Sequence, residues 1–209
     1  MIKNKLNIVA ISLFSGILFS CGLAQNNDKK KEKILAVNYL ESIANESFKL
    51  NSIEFLKDTI LIVSENEIWY YPFGEYTNFK KFQEQYLEKQ LKEPKIDYTK
   101  LKSGSEVINI RNKNTFVKLI ETEIFRKEGQ RLEIVSANIN DADFEFVNGI
   151  KIGMNKKDLL LKIFSIVPEE LKKTPVIKIV SAVDFIEYYF IFSEDNTVKN
   201  ITIITDYVL

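Results

Sequence analysis

Apolar and polar positions along this chain alternate with two different periods. Over residues 32–50, Ile34, Val37, Leu40, Ala44 and Phe48 recur every three or four positions, which predicts an amphipathic helix. Residues 59–63 and 68–73 then read as strands around the turn-like Ser64-Glu65-Asn66-Glu67, with Pro72 placing the end of the second at a sheet edge. Thr77 or Asn78 caps a helix to about Leu91, whose apolar side carries Phe79, Phe82, Tyr86 and Leu87, and Pro94 closes it. Strands are predicted at 106–111, 115–125 and 131–139, joined by turns at Asn112-Lys113-Asn114 and Glu128-Gly129.

The same order then recurs. Residues 143–152 read as a strand, and Asn155 caps a helix to about Val167 with Asp158 in its first turn. Strands at 176–182, 185–192 and 198–207 complete the set. The expected fold class is α+β, with two tandem modules of antiparallel sheet, each with a helix packed on one face, preceded by an N-terminal helix. The expected domains are 32–141, holding the N-terminal helix and first module, and 142–209, the second module. Residue identity between the two halves is slight, so the repeat is one of topology.

The N-terminus has a different character. Lys3 and Lys5 precede an apolar run from Leu6 to Phe19, which is too short for the ~30 Å core of a bilayer but suits an export signal over residues 1–20. The run ends in Leu18-Phe19-Ser20-Cys21, similar to the lipobox of bacterial lipoproteins, in which the cysteine is acylated and becomes the new N-terminus. A soluble product cut before Gln25 is the alternative. Acylation of Cys21 predicts a membrane partner through lipid, and the polar residues 21–31 read as a lipidated tether. Gly22 after the cysteine, by resemblance to sorting rules in diderm bacteria, points to the periplasmic face of the outer membrane.

Composition narrows the chemistry. The 209-residue chain has no histidine and one cysteine, Cys21, which removes imidazole bases, His-ligated metals, internal disulfides and thiolate zinc sites. Only Arg111, Arg126 and Arg131 among its 29 basic residues are arginine, and 29 acidic residues balance them, so no nucleic-acid partner is expected. Seven glycines, without a phosphate-binding loop or nucleophile elbow, argue against nucleotide folds and hydrolases. Asn140-Asp141-Ala142-Asp143 with Glu145 lacks the glycine and distal Glu of a calcium loop and reads as a polar turn. The expectation is a protein that is not an enzyme and holds no cofactor and no metal.

Ile152-Gly153-Met154-Asn155-Lys156-Lys157-Asp158-Leu159 resembles the Gly-Met-x-Lys helix lead-in of the small outer-membrane assembly lipoproteins (SmpA/OmlA, also called BamE) and of β-lactamase-inhibitory-protein-like folds. Phe190 to Ile203 is similar to the closing hairpin of that group. The likeness covers the second half of the chain and departs after the helix, where Ile166-Val167-Pro168 stands in place of Gly-x-Pro. It implies a helix laid across an antiparallel sheet and action by binding protein partners, with no catalytic residues to carry over.

Trp69-Tyr70-Tyr71 and Tyr188-Tyr189 are the candidate partner-binding residues. Neighbours on a strand point to opposite faces, so one of each pair should leave the helix-covered side. Trp69, Tyr71, Tyr188 and Tyr189 are therefore weighed as a recognition surface against core packing. The functional expectation is a non-catalytic envelope lipoprotein that binds an unidentified envelope protein in an assembly or scaffold role. The alternatives are an inhibitor or immunity lipoprotein, and a carbohydrate- or lipid-binding lipoprotein.

Overall fold

The computed structural model describes residues 38–65, 69–102, 104–123, 129–167, 169–182 and 185–207. The export signal, Cys21, the tether and the first part of the expected N-terminal helix lie outside the described residues. Residues 38–42 are helical, and the rest of the chain from Ile43 forms one unit.

The helix expected over 32–50 does not run its full length. Helix C-termini leave carbonyls without partners, and here a neighbouring segment of chain supplies the donors. The Asn45 amide donates to the Ile163 carbonyl at 2.8 Å and its side chain donates to the Leu161 carbonyl at 2.9 Å. That pins Ala44 in an extended bridge to Phe164. A 3-10 turn at Glu46–Phe48 follows, and Lys49, at φ 49°, turns the chain into strand β1, Leu50–Leu56, which hydropathy alone did not reveal.

The other strands are β2 (Thr59–Ser64), β3 (Lys95–Lys100), β4 (Glu106–Asn112), β5 (Thr115–Glu123), β6 (Gln130–Ile139), β7 (Val176–Ser181), β8 (Ile186–Phe192) and β9 (Val198–Thr205). They form one nine-stranded sheet in the order β1-β2-β7-β8-β9-β6-β5-β4-β3. Every pairing is antiparallel except β2 with β7. The expectation of two separate tandem modules is corrected by this arrangement. Each half does contribute a helix followed by an antiparallel meander. The last strands of the two meanders, β6 and β9, pair with each other and make the sheet continuous.

Helix α1 spans 79–90. Asn78 caps it by accepting from the Lys81 amide, Glu121 accepts from the Phe79 amide at 2.7 Å, and Gln83–Leu87 is a π-helical turn. Helix α2, Lys156–Ile163, begins at Asn155, whose side chain accepts from the Lys157 amide. Leu159, Leu160 and Ile163 of α2 are buried. A short helix α3, Glu169–Lys172, follows.

Two expected strands are loops. At 68–73, the described part begins with a turn at Trp69 and Tyr70, and the Gly74 amide closes back on the Tyr71 carbonyl at 2.9 Å. Pro72, lacking an N–H, suits that turn and not a ladder. At 143–152, Phe144, Phe146 and Ile150 are buried, but the backbone bonds are local: Phe146 donates to the Ile150 carbonyl at 2.8 Å and Gly149 to the Phe146 carbonyl at 2.7 Å. Alternating burial there comes from turns.

These two loops bind the halves together. Phe48, Trp69, Tyr188, Phe146, Phe73 and Phe82 form a chain of ring contacts with centroids 5.0–6.2 Å apart. Phe82 continues it into α1 by stacking on Tyr86 at 5.1 Å. One aromatic core therefore runs beneath the sheet, and burying it once excludes more apolar surface than two small cores would.

Candidate functional site

Strand alternation divides β8 between two environments. Tyr188, Phe190 and Phe192 point to the face on which the helices lie, and Glu187, Tyr189 and Ile191 point to the other. Both helices sit on the Tyr188 side: α1 reaches it through the aromatic chain, and Lys156 of α2 holds its ammonium 4.6 Å from the Phe192 ring centroid.

On the Tyr189 face, register aligns side chains in rows across the sheet. Leu61, Lys178, Tyr189, Thr202, Asn138 and Phe116 stand opposite one another in one row. Val63, Val180, Glu187, Ile204, Ser136 and Lys118 form the next. From β2 through β9 these positions are half-buried or exposed, so apolar side chains meet solvent across several strands. Towards β4 the same face closes: Val107 and Ile120, directly paired, are buried.

Polar contacts organise the centre of this face. Lys178 Nζ lies 2.8 Å from a Glu187 carboxylate oxygen and 5.0 Å from the Tyr189 ring centroid. The Tyr189 hydroxyl donates to the other Glu187 oxygen at 2.7 Å. Burial works against the charge of Glu187, but hydrogen bonds from Lys178 and Tyr189 outweigh it and hold the carboxyl below its ordinary value. Lys178 is likewise opposed by burial and held above its ordinary value by its bonds to Glu187 and Tyr189. Beside this trio, Asn200 donates to the side-chain oxygens of Asn138 at 2.6 Å and Asn140 at 3.0 Å, an amide ladder crossing from β9 to β6.

The four aromatic candidates separate. Tyr188 is fully buried, and Trp69 is 2% exposed with its indole N–H unpartnered, so both belong to the core and neither is part of a surface. Tyr189 is on the open face. Tyr71 lines a different feature, a half-open cleft of about 190 Å³ with Tyr70, Phe185, Ile186, Tyr207, Glu133 and Asp206 among its walls. Burial raises the Tyr71 hydroxyl above its ordinary value, against the hydrogen bond and charge of Arg131. Sequence reasoning missed this cleft because its walls come from four separate segments.

The lysine of the Gly-Met-x-Lys motif has a structural setting. Lys156 is buried and donates to the Lys172 carbonyl at 2.9 Å, and burial holds its ammonium below the ordinary lysine value. Gly153, at φ 83°, donates to the Val198 carbonyl at 2.8 Å, and Val198 donates to the Met154 carbonyl at 2.9 Å. The two segments that carry the family resemblance are thus bonded to each other. In the 140–145 turn, Asp143 pairs with Lys113 at 2.7 Å and Glu145 with Lys151 at 2.8 Å, so these carboxylates face ammonium groups. Among the described residues no cluster of three metal-ligating side chains forms, and no helix is long and apolar enough to cross a membrane.

Comparison with protein-family models, with curated proteins and with solved structures finds no match to this chain.

Proposed function

We propose that this chain is a non-catalytic envelope lipoprotein that uses its Tyr189 face to bind a protein partner in an assembly or scaffold role. The observation that carries this reading is the open face itself. Half-buried Leu61, Val63, Val180 and Ile191 share this face with a tyrosine held in place by Glu187 and Lys178, on a sheet whose other side is covered. Tyrosine is favoured at interface centres because it presents a large ring at small entropic cost, and a pre-positioned ring loses still less on binding.

An acylated Cys21 followed by the 22–31 tether would hold this face within reach of membrane-bound proteins, at the periplasmic side of the outer membrane. The fusion of two diverged sheet-and-helix units, related to the assembly lipoproteins and inhibitory-protein folds, is part of the same proposal. Its support is the Gly153 to Lys156 lead-in and the meander that follows each helix.

A photocrosslinking amino acid placed at position 189 in living cells tests the reading. A discrete crosslinked protein is expected there, and none from position 98, where Tyr98 is 58% exposed on the helix side of β3. Crosslinking at 98 with none at 189 would reject the Tyr189 face.

A further inference from the structure

A half-open pocket of about 390 Å³ lies where the 3-10 turn at Glu46–Phe48 meets the last turn of α2. Its apolar surface comes from Phe48, Ile150 and Ile163, all buried, and from Leu161, which is 41% exposed. Trp69, Asn148 and Lys162 bring N–H groups to its walls, and no acid stands among the described residues that line it.

Two of these donors are short of acceptors. The indole N–H of Trp69 is buried and has no hydrogen-bond partner in the protein. Such a group is rare in a folded chain, because the hydration it lost is not replaced. The open space that Trp69 borders is this pocket, so an acceptor for the indole can come from there. Lys162 Nζ donates to the Asn148 carbonyl at 2.7 Å, which uses one of its three N–H groups. It has no carboxylate partner among the described residues, since Glu145 pairs with Lys151 at 2.8 Å. Free carbonyls at the end of α2 would repel an anion, but those nearest the pocket are engaged. Leu161 accepts from the Asn45 side chain at 2.9 Å, and Ile163 from the Asn45 amide at 2.8 Å.

A neutral apolar ligand would cover the apolar walls but leave both donors unmet. An inorganic anion would meet the donors and leave the apolar walls in water. A carboxylate on an apolar group satisfies both at once. We propose that this pocket binds a carboxylate carried on a short apolar group, with Lys162 as counter-charge and the Trp69 indole as hydrogen-bond donor. Two sources offer that chemistry: a free short-chain acid, and the C-terminus of a peptide that ends in an apolar residue. The site lies on the Tyr188 side of the sheet, where the Trp69 and Tyr188 rings meet at 5.0 Å, and is independent of the Tyr189 face.

Trp69 is the only tryptophan of the chain, so its fluorescence reports on the pocket directly. The full chain in phosphatidylcholine vesicles is titrated near neutral pH with pentanoate and with pentanamide, by emission and by calorimetry. Pentanoate should shift the Trp69 emission saturably and bind at least about tenfold more tightly than pentanamide, which keeps the shape and loses the charge. Lys162→Met, which keeps the stem, should close that gap. Leu161→Glu puts a negative charge at an exposed wall position and should weaken pentanoate several-fold while leaving pentanamide unchanged. Nα-acetyl-glycyl-leucine, with its carboxylate free, separates the sources. Binding tighter than pentanoate assigns a peptide C-terminus, and weaker binding assigns a free short-chain acid. Equal binding of pentanoate and pentanamide, no saturable binding of any of the three, calorimetric binding that leaves the Trp69 emission unmoved, or a preference for pentanoate that survives in both variants would overturn the site.

Discussion

The hydroxyl of Tyr188 donates to the backbone carbonyl of Trp69, 119 residues earlier in the chain, and their rings meet at 5.0 Å. This contact ties the turn after β2 to the middle of β8, and with it the first half of the chain to the second. Tyr189, one residue on, faces the other way. Tyr188→Phe should therefore cost about 1–3 kcal/mol, because the Trp69 carbonyl is left unsatisfied in the core. Tyr188→Ala should cost about 3–5 kcal/mol, as for other large core truncations. Tyr189→Ala should stay within about 1 kcal/mol. Urea melts compare them, and equal losses at 188 and 189 would contradict the opposed faces.

Leu159 and Ile163 are buried on α2. Each change to Ala there should destabilise by about 2–5 kcal/mol in the same melts. Losses below about 1 kcal/mol at both would mean that α2 does not cover the core.

The Lys178–Glu187 pair sets a pH dependence with a definite sign. Glu187 titrates lower in the folded chain than its ordinary 4.5, so its contribution is present above about that pH and lost as pH falls through the folded value. Lys178 titrates higher than its ordinary 10.5, so its contribution is present below that pH and lost as pH rises through the folded value. Both side chains keep some solvent contact, so the pair is worth about 1 kcal/mol or less. In pH-resolved melts, Glu187→Gln should be less stable than the parent near neutrality, and the gap should close below pH 4.5. A gap unchanged down to strong acid would show that the pair does not form.

Lys156 carries the opposite sign. Its folded value lies below 10.5, so its burial opposes folding while the ammonium is charged, and stability from this group rises as pH climbs toward 10.5. Lys156→Ala should still cost about 1–3 kcal/mol, since it leaves the Lys172 carbonyl without its donor and removes the stem beside Phe192. Lys156→Met, which keeps the stem, should recover part of that loss. Thermal melts of the two variants side by side distinguish packing from the hydrogen bond.

Anchoring is tested at Cys21. Cys21→Ser should move the protein from the detergent phase to the aqueous phase in phase partitioning. An unchanged partition, or a mature N-terminus at Gln25 by mass spectrometry, would favour soluble export.

Local patterning was enough to place much of this fold. Asn155 caps the helix it was expected to cap, and of Thr77 and Asn78 it is Asn78 that caps the other, since a side-chain acceptor at a helix start acts within three residues. The six strands predicted in the two meanders all form, because alternation at period two is a local signal. Sequence also limited the candidate surface to a few aromatics, but alternation identifies opposed faces without saying which one is covered. Trp69 and Tyr188 were as eligible as Tyr71 and Tyr189 until the helices were placed.

What the sequence determined by itself was what acts over a few residues: seven of the nine described strands, the helix starts, the turn at Gly153, and the chemistry excluded by the absence of histidine. Tertiary structure alone decided what depends on distant segments meeting. The donors that Asn45 gives to the end of α2 override helical periodicity over 43–50, because unsatisfied carbonyls cost more than local propensity returns. The parallel pairing of β2 with β7 has no local signature, and the β6–β9 contact that turns two meanders into one sheet has none either. The aromatic chain from Phe48 to Phe82 supplies the reason: a single shared core excludes more water than two separate ones.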